Sequence, residues 1–313
     1  MAQPADTFSS YDAIGNREDL ADIIYDISPD ETPLLSAIPK VSASATYHEH
    51  QKDALAAAGA NAVIEGDDAT TDAQVPTVRV GNYTQISDKV VRVTGTQEAV
   101  NKAGRGSDLA YNLMKAGKEL KLDMEYAIFQ NGARVAGDDS TARQLAGINS
   151  WIATNDDFGG TGASPTGDGT DGRTDGTQRA FAEADLQTVL ASCWEQGGNP
   201  DTVFVGSFNK QAMSAFTGNA TRNIDSADKK LVNAIDIYIG DFGELQVVPA
   251  RNMRSRDCLV LDTDMWALAE LRSFSEKPLA KTGDSERTQL LCEYTLEARN
   301  EASSGGVYDL TTS

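Results

Sequence analysis

Between Ser107 and Asn131 the sequence reads SDLAYNLMKAGKELKLDMEYAIFQN, in which Leu109, Leu113, Ala116, Leu120, Met124 and Ala127 recur at steps of three and four residues. That spacing lines one face of an α-helix. Ser107, behind Gly106, can cap the first turn by accepting a bond from an orphan amide, and Asn131-Gly132 offers a left-handed exit. Such a helix is roughly 37 Å long at 1.5 Å per residue, about twice the usual length, so the rest of the chain must be arranged along it. Tyr111, Leu122 and Tyr126 lie about half a turn from the main stripe. A helix on the outside of a domain needs one apolar face. Two faces call for two neighbours, either two layers of one domain or one layer and another subunit.

The 313 residues, 40% of them apolar, are enough for one large domain or two ordinary ones. With 47 acids against 27 bases the formal charge is −20, which disfavours a broad basic grip on nucleic acid. The surplus is uneven, because residues 1–80 carry 14 acids and 4 bases whereas residues 81–135 carry 6 acids and 8 bases. An acidic first quarter and a slightly basic middle can meet across a subunit boundary, or the acids can form a solvated surface. Cys193, Cys258 and Cys292 are odd in number, widely spaced and set in apolar patterns, so they read as buried reduced thiols of a cytoplasmic product. The first residues, MAQPADTFSS, have no basic start or apolar run, and nothing nears the roughly 18 apolar residues of a membrane span.

Residues 1–40 are acidic, with Pro29, Pro33 and Pro39 and one short helical pattern at residues 19–27; they read as an extended arm that needs a neighbour. Residues 41–100 change to β-type runs around a polar, Ala- and Gly-rich tip at 56–74, which predicts a long two-stranded projection. An isolated hairpin is marginal in water, so this one must rest on something else. After the long helix, Leu145, Ile148, Trp151 and Ile152 return to the core, and the Gly-, Thr- and Asp-rich stretch 156–178 reads as a flexible surface loop. A second helix is expected in AEADLQTVLASCWEQGG, ending at Gly197-Gly198. TVFVG, FNKQAMSAF, IDIYIGDFGELQVVP, DCLVLD and DMWALAEL then alternate strand and helix, a compact α+β unit over roughly 181–271. Leu290, Cys292, Tyr294 and Leu296 alternate as in a half-buried antiparallel strand, expected to pair near the long helix.

The candidates for chemistry are few. His48 and His50 share a strand face, but no third ligand for a metal can be named, so a solvent-facing loop flank is preferred. DGTDGRTDG, at 168–176, has the carboxylates of a calcium loop without its ordered spacing or closing Glu. Gly283-Asp284-Ser285 is not a nucleophile elbow. Lys281, Arg287, Arg251, Arg254 and Arg256 form a modest basic group, expected to pair with the acidic arm. No residue is assigned as catalytic, cofactor-binding or metal-binding, and an enzyme is not expected.

Several stretches resemble one family along almost the whole chain. NYTQISDKVVRVTGTQEAVN, ELKLDMEYAIFQN, GGNPDTVFVGSFNKQ, IGDFGELQVVP, LDTDMWALAELR and PLAKTGDSERTQLLCEYTLEARNE are similar to tailed-bacteriophage major capsid proteins, in the group formerly described as a domain of unknown function. The resemblance implies an α+β fold of the Hong Kong 97-like class. It would place an N-arm at 1–40, an extended E-loop at 41–100, a peripheral P-domain at 101–180 with the spine helix at 107–131, an axial A-domain at 181–280, and a return to the P-domain at 281–313. It also implies pentamers and hexamers tiling an icosahedral shell around double-stranded DNA, made in a bacterial cytoplasm. A portal would be a partner, with a decoration protein as a further candidate. Some relatives carry a scaffolding segment ahead of the arm; here Met1 precedes the arm directly, so a separate scaffolding protein is expected. Neither Lys89 nor any Asn matches the Lys–Asn cross-link of certain relatives, and none is assigned. The competing readings are a same-fold nanocompartment with enzyme cargo, a calcium-dependent binding module using the Asp-Gly loop, and a hydrolase using His48 or His50.

Overall fold

The computed structural model describes residues 28–68, 71, 73–102, 104–216 and 236–312. The helical pattern expected at 19–27 lies outside them. The described chain opens on one turn of helix, α1 (Pro33–Ala37), where an extended arm was expected. Pro33 begins that turn, because its missing amide would be an orphan there in any case. After β1 (Lys40–Ser42), β2 (Tyr47–Lys52) pairs antiparallel with β3 (Val78–Tyr83), His48 opposite Asn82 and Lys52 opposite Val78. The projection is thus less regular than expected, since the described residues between these strands form none; Ala and Gly offer little to hold a ladder. The strongest strand signal, PTVRV followed by YTQISDKVVRVTGTQEAV, divides between β3 and β4 (Gln85–Thr94), and β4 leaves the hairpin for a different sheet.

Past the short α2 (Gly95–Ala99), the long helix α3 runs Asp108–Phe129, roughly 33 Å. Ser107 caps it, its hydroxyl accepting from the Ala110 amide at 3.2 Å. The exit differs from expectation: Gln130 is already extended (φ −73°, ψ 160°) and Gly132 is not left-handed. The helix ends instead beneath Gly147, where a Cβ would collide with the Gln130 carbonyl, so the returning chain crosses the helix end at backbone distance.

The second half supplies β5 (Asp156–Asp157), α4 (Glu183–Glu195), β6 (Thr202–Val205), α5 (Ser207–Ser214), β7 (Ile237–Gly240), β8 (Gly243–Pro249), β9 (Cys258–Leu261), β10 (Trp266–Pro278), β11 (Ser285–Ala298) and β12 (Gly305–Val307). Helix α4 stops where Gly197 turns to φ 85°, as its sequence predicts. Six strands form one mixed sheet in the order β5-β12-β9-β6-β8-β7. Its central strands are apolar throughout because both faces are covered. Val203, Val205, Cys258 and Val260 face a core shared with Leu186, Val189, Leu190 and Cys193 of α4 and Met213 of α5. Phe204, Leu259 and Leu261 face the opposite core, which holds Leu120, Met124, Ile128 and Phe129 of α3 together with Trp151, Trp266 and Tyr294.

Two segments depart from their expected places. DMWALAEL, read as part of the unit at 181–271, is a short turn followed by β10, and β10 belongs to a four-stranded sheet ordered β1-β10-β11-β4. There β11 turns Cys292, Tyr294 and Leu296 into the core of α3, as the alternation predicts. The chain end does not all return beside α3, however. β12 enters the six-stranded sheet, antiparallel to β9 and parallel to β5, so residues 281–313 divide between two sheets. No described helix is long and apolar enough to cross a membrane.

Candidate functional site

The sequence's chemical candidates are occupied by internal contacts. His48 and His50 lie at the root of the hairpin, half-buried, where a solvent-facing flank was expected. His48 Nε2 is 2.7 Å from Glu297 Oε2 on β11, and Arg299 donates to the other oxygen of that carboxylate at 2.9 Å. Burial alone would raise the Glu297 carboxyl, but these two bonds outweigh it and hold the group below its ordinary range. Burial also lowers the pKa of His50. Among the described residues no three His, Cys, Asp or Glu side chains gather around a metal-sized space.

The Asp-Gly stretch likewise turns its carboxylates to protein donors. Asp168 accepts from the Thr166 hydroxyl (2.8 Å) and the Thr170 amide (2.9 Å), and Asp171 from the Thr166 amide (2.9 Å). The calcium-loop arrangement of converging free oxygens is not present there. Cys193, Cys258 and Cys292 are free and buried. Burial pushes the thiols of Cys193 and Cys292 up to about 12 and raises that of Cys258, so none supplies a thiolate. Ser285 is buried and accepts from Arg92 at 3.0 Å.

Stretch 156–178 is held down, contrary to the flexible loop expected from its composition. Asp309, near the chain end and at φ 61°, accepts from the amides of Gly159 (3.1 Å) and Gly176 (2.8 Å) and from Arg256 (2.5 Å). Arg173 is buried, its guanidinium 3.1 Å from the centroid of the Tyr308 ring and 3.3 Å from Asp156. Arg254 donates to Asp175 at 2.6 Å and lies 3.4 Å from the buried Asp257, whose carboxyl burial pushes up to about 6. Arg254 and Arg256 thus pair with this stretch and the chain end, where the acidic arm was expected.

What remains for function is surface shape. The hairpin of β2 and β3 is rooted firmly: buried Asn82 donates to the carbonyls of Ala146 (3.2 Å) and Leu296 (3.0 Å) and accepts from the Ala146 amide (2.9 Å). Arg134 donates to the Tyr47 hydroxyl (2.8 Å) and the Gly81 carbonyl. Beyond this root the connecting segment exposes apolar side chains, with Leu55 99%, Val63 80%, Ile64 79% and Val75 79% accessible. Apolar groups displayed so far from any core mark a contact surface. Sequence reasoning missed Asn82 and Arg134, because their partners are distant along the chain.

It also missed Glu125, which points inward from α3 and accepts from the amides of Leu34 (3.1 Å) and Leu35 (3.4 Å), pinning α1 to the long helix. Burial raises this carboxyl from 4.5 to about 7, against the opposing pull of those amides. The folded state therefore holds a proton that the unfolded chain releases, and the stability this contributes below pH ~4.5 is lost as pH rises through ~7. Glu125→Gln should remove that loss: relative to the native chain, its unfolding free energy should gain on the order of 2–3 kcal/mol between pH 4.5 and pH 8. Urea titrations at the two pH values measure it, and an equal pH response in both proteins would contradict this.

Comparison with known proteins gives the chain's relatives. A family model described as SU10 major capsid protein matches residues 5–311. The major capsid protein of Escherichia phage Phieco32 is 27% identical over 345 residues, covering 98% of each chain. Among solved structures, a chain of the cyanophage A-1(L) capsid asymmetric unit superposes with TM-score 0.70 at 14% identity, covering 95% of this chain and 97% of its own. A chain of Mycobacterium phage Adephagia gives 0.62 at 14% identity, with 98% and 99% covered. At such identities the likeness is one of fold, an α+β fold of the Hong Kong 97-like class.

Proposed function

The chain belongs to the SU10 major capsid protein family of tailed phages, and from that premise we propose that it closes, as hexamers and pentamers, an icosahedral shell around double-stranded DNA. The observation that carries the proposal is the rooted projection with its exposed apolar segment, a surface of no use to an isolated subunit. In this reading residues 1–40 are the N-arm, 41–100 the E-loop, 101–180 the P-domain, 181–280 the A-domain, and β11 completes the P-domain against α3. Arm and E-loop supply area between subunits, and many modest contacts in a closed symmetric array add up. The net charge of −20 suits a container for DNA, because each fixed phosphate contact would act as a brake on packaging. The role is structural, not catalytic. A separate scaffolding protein that keeps the exposed segments from pairing wrongly, and a portal, are the partners it calls for.

Sedimentation velocity on the purified chain, with electron microscopy of the heaviest fraction, tests the shell directly. Closed particles of megadalton mass are expected, alone or with the scaffolding protein added. A small oligomer that persists in both conditions would refute the proposal.

A further inference from the structure

The chain has two histidines, and the fold places both on one strand face at the root of the projection. His48, His50 and Lys52 share the face of β2 that lies with Asn82, Val80 and Val78 of β3, whereas Glu49 and Gln51 lie on the other face with Arg79. His48 meets a carboxylate, Glu297 of β11, at 2.7 Å. That carboxylate is fully engaged, because Arg299 donates to its other oxygen at 2.9 Å. His50 is placed differently. Both of its ring nitrogens are buried, and neither makes a hydrogen bond to any described residue.

We propose that His50 makes the hairpin root an acid-operated hinge, in which a proton taken up by its buried ring loosens β2 from β11 and frees the direction of the projecting segment. The groups around the ring set the sign. On its own strand His48 and Lys52 oppose a proton there, the Glu297 carboxylate and Ala298 carbonyl of β11 favour one, and β3 sets only the apolar Val80 opposite. Burial opposes the proton most and prevails, holding the ring below its ordinary 6.5. The folded root therefore stays neutral where the unfolded strand takes up a proton, so it is at full strength above pH ~6.5 and weakens as pH falls below that. Glu297 does not share this window, since its carboxyl is held below its ordinary 4.5 and its contribution is lost only in stronger acid. Glu125 and Asp257 act in the opposite sense: burial raises both carboxyls, so acidification strengthens the packing around them. The weakening is thus confined to the hairpin. It is a property of the single subunit and does not rest on the shell proposal.

Hydrogen exchange of the full chain at about pH 7.5 and about pH 5.5, expressed relative to the unstructured rate at each pH, tests the hinge. Protection of β2 and β3 should fall at the lower pH by up to about tenfold, the ceiling for one proton taken up one unit below 6.5, while α4 keeps its protection. His50→Gln cannot take up a proton, so its root should be equally protected at both values. Equal protection at both values in the native chain would overturn the proposal, as would an equal fall in His50→Gln or a fall shared with α4. Where the variant root is already unprotected at the higher pH, the imidazole resonance of His50 in the native chain decides. A ring that titrates below 6.5 supports the hinge, and one that titrates at 6.5 or above overturns it.

Discussion

A chain lacking residues 56–74 should melt where the full chain melts and yet form no closed particle. The described residues of the deleted stretch contribute to neither core, and Val63 and Ile64 within it are about four-fifths exposed. Surface changes of this kind move stability by about 0.5 kcal/mol or less, and loop-closure entropy changes only slowly with the length of a connection. Assembly is a different matter. Burying side chains the size of Val and Ile is worth about 1.5–3 kcal/mol each, and a closed array repeats that contribution at every subunit. Calorimetry and electron microscopy on the same preparation separate the two effects. Normal shells from the shortened chain would remove the projection from the assembly mechanism.

The second large effect is expected inside the subunit. Asp309→Ala should cost about 3–5 kcal/mol, the range for breaking a buried ion pair, because Arg256 and the amides of Gly159 and Gly176 lose their shared acceptor together. The loss should be accompanied by faster hydrogen exchange across 156–178, while α4 keeps its protection. Asp309→Asn should lose less, since Asn retains an acceptor oxygen and tolerates the left-handed φ of 61° at this position. Denaturant unfolding of the two variants provides the comparison. A loss below about 1 kcal/mol in the alanine variant would mean the carboxylate is not what holds the stretch.

The contrast between these sites explains which parts of the fold were legible in advance. Helices α3 and α4 and strands β6, β9 and β11 follow from local periodicity, and local periodicity is written in consecutive residues. Pairing is not local. QISDKVVRVT reads as a strand whether its partner is β3 or β11, and DMWALAEL carries too few residues to distinguish helix from strand. The stretch 156–178 misled for another reason: its own composition cannot order it, and the groups that do, Arg254, Arg256, Tyr308 and Asp309, sit outside any window drawn around it. Glu125 was hidden similarly. On an amphipathic helix it reads as a solvent-facing acid until α1 is laid against it.

The placement of β12 has a consequence for the order in which the molecule can be made. It fills an interior position between β5 and β9, and the residues after it reach both cores, Tyr308 one and Leu310 the other. Synthesis delivers these residues after every other strand of that sheet. Until they have emerged from the ribosome, the six-stranded sheet lacks an inner strand and the stretch 156–178 lacks its acceptor. A product terminated before β12 therefore cannot take up the finished shape, and the fold itself withholds such a fragment from its neighbours.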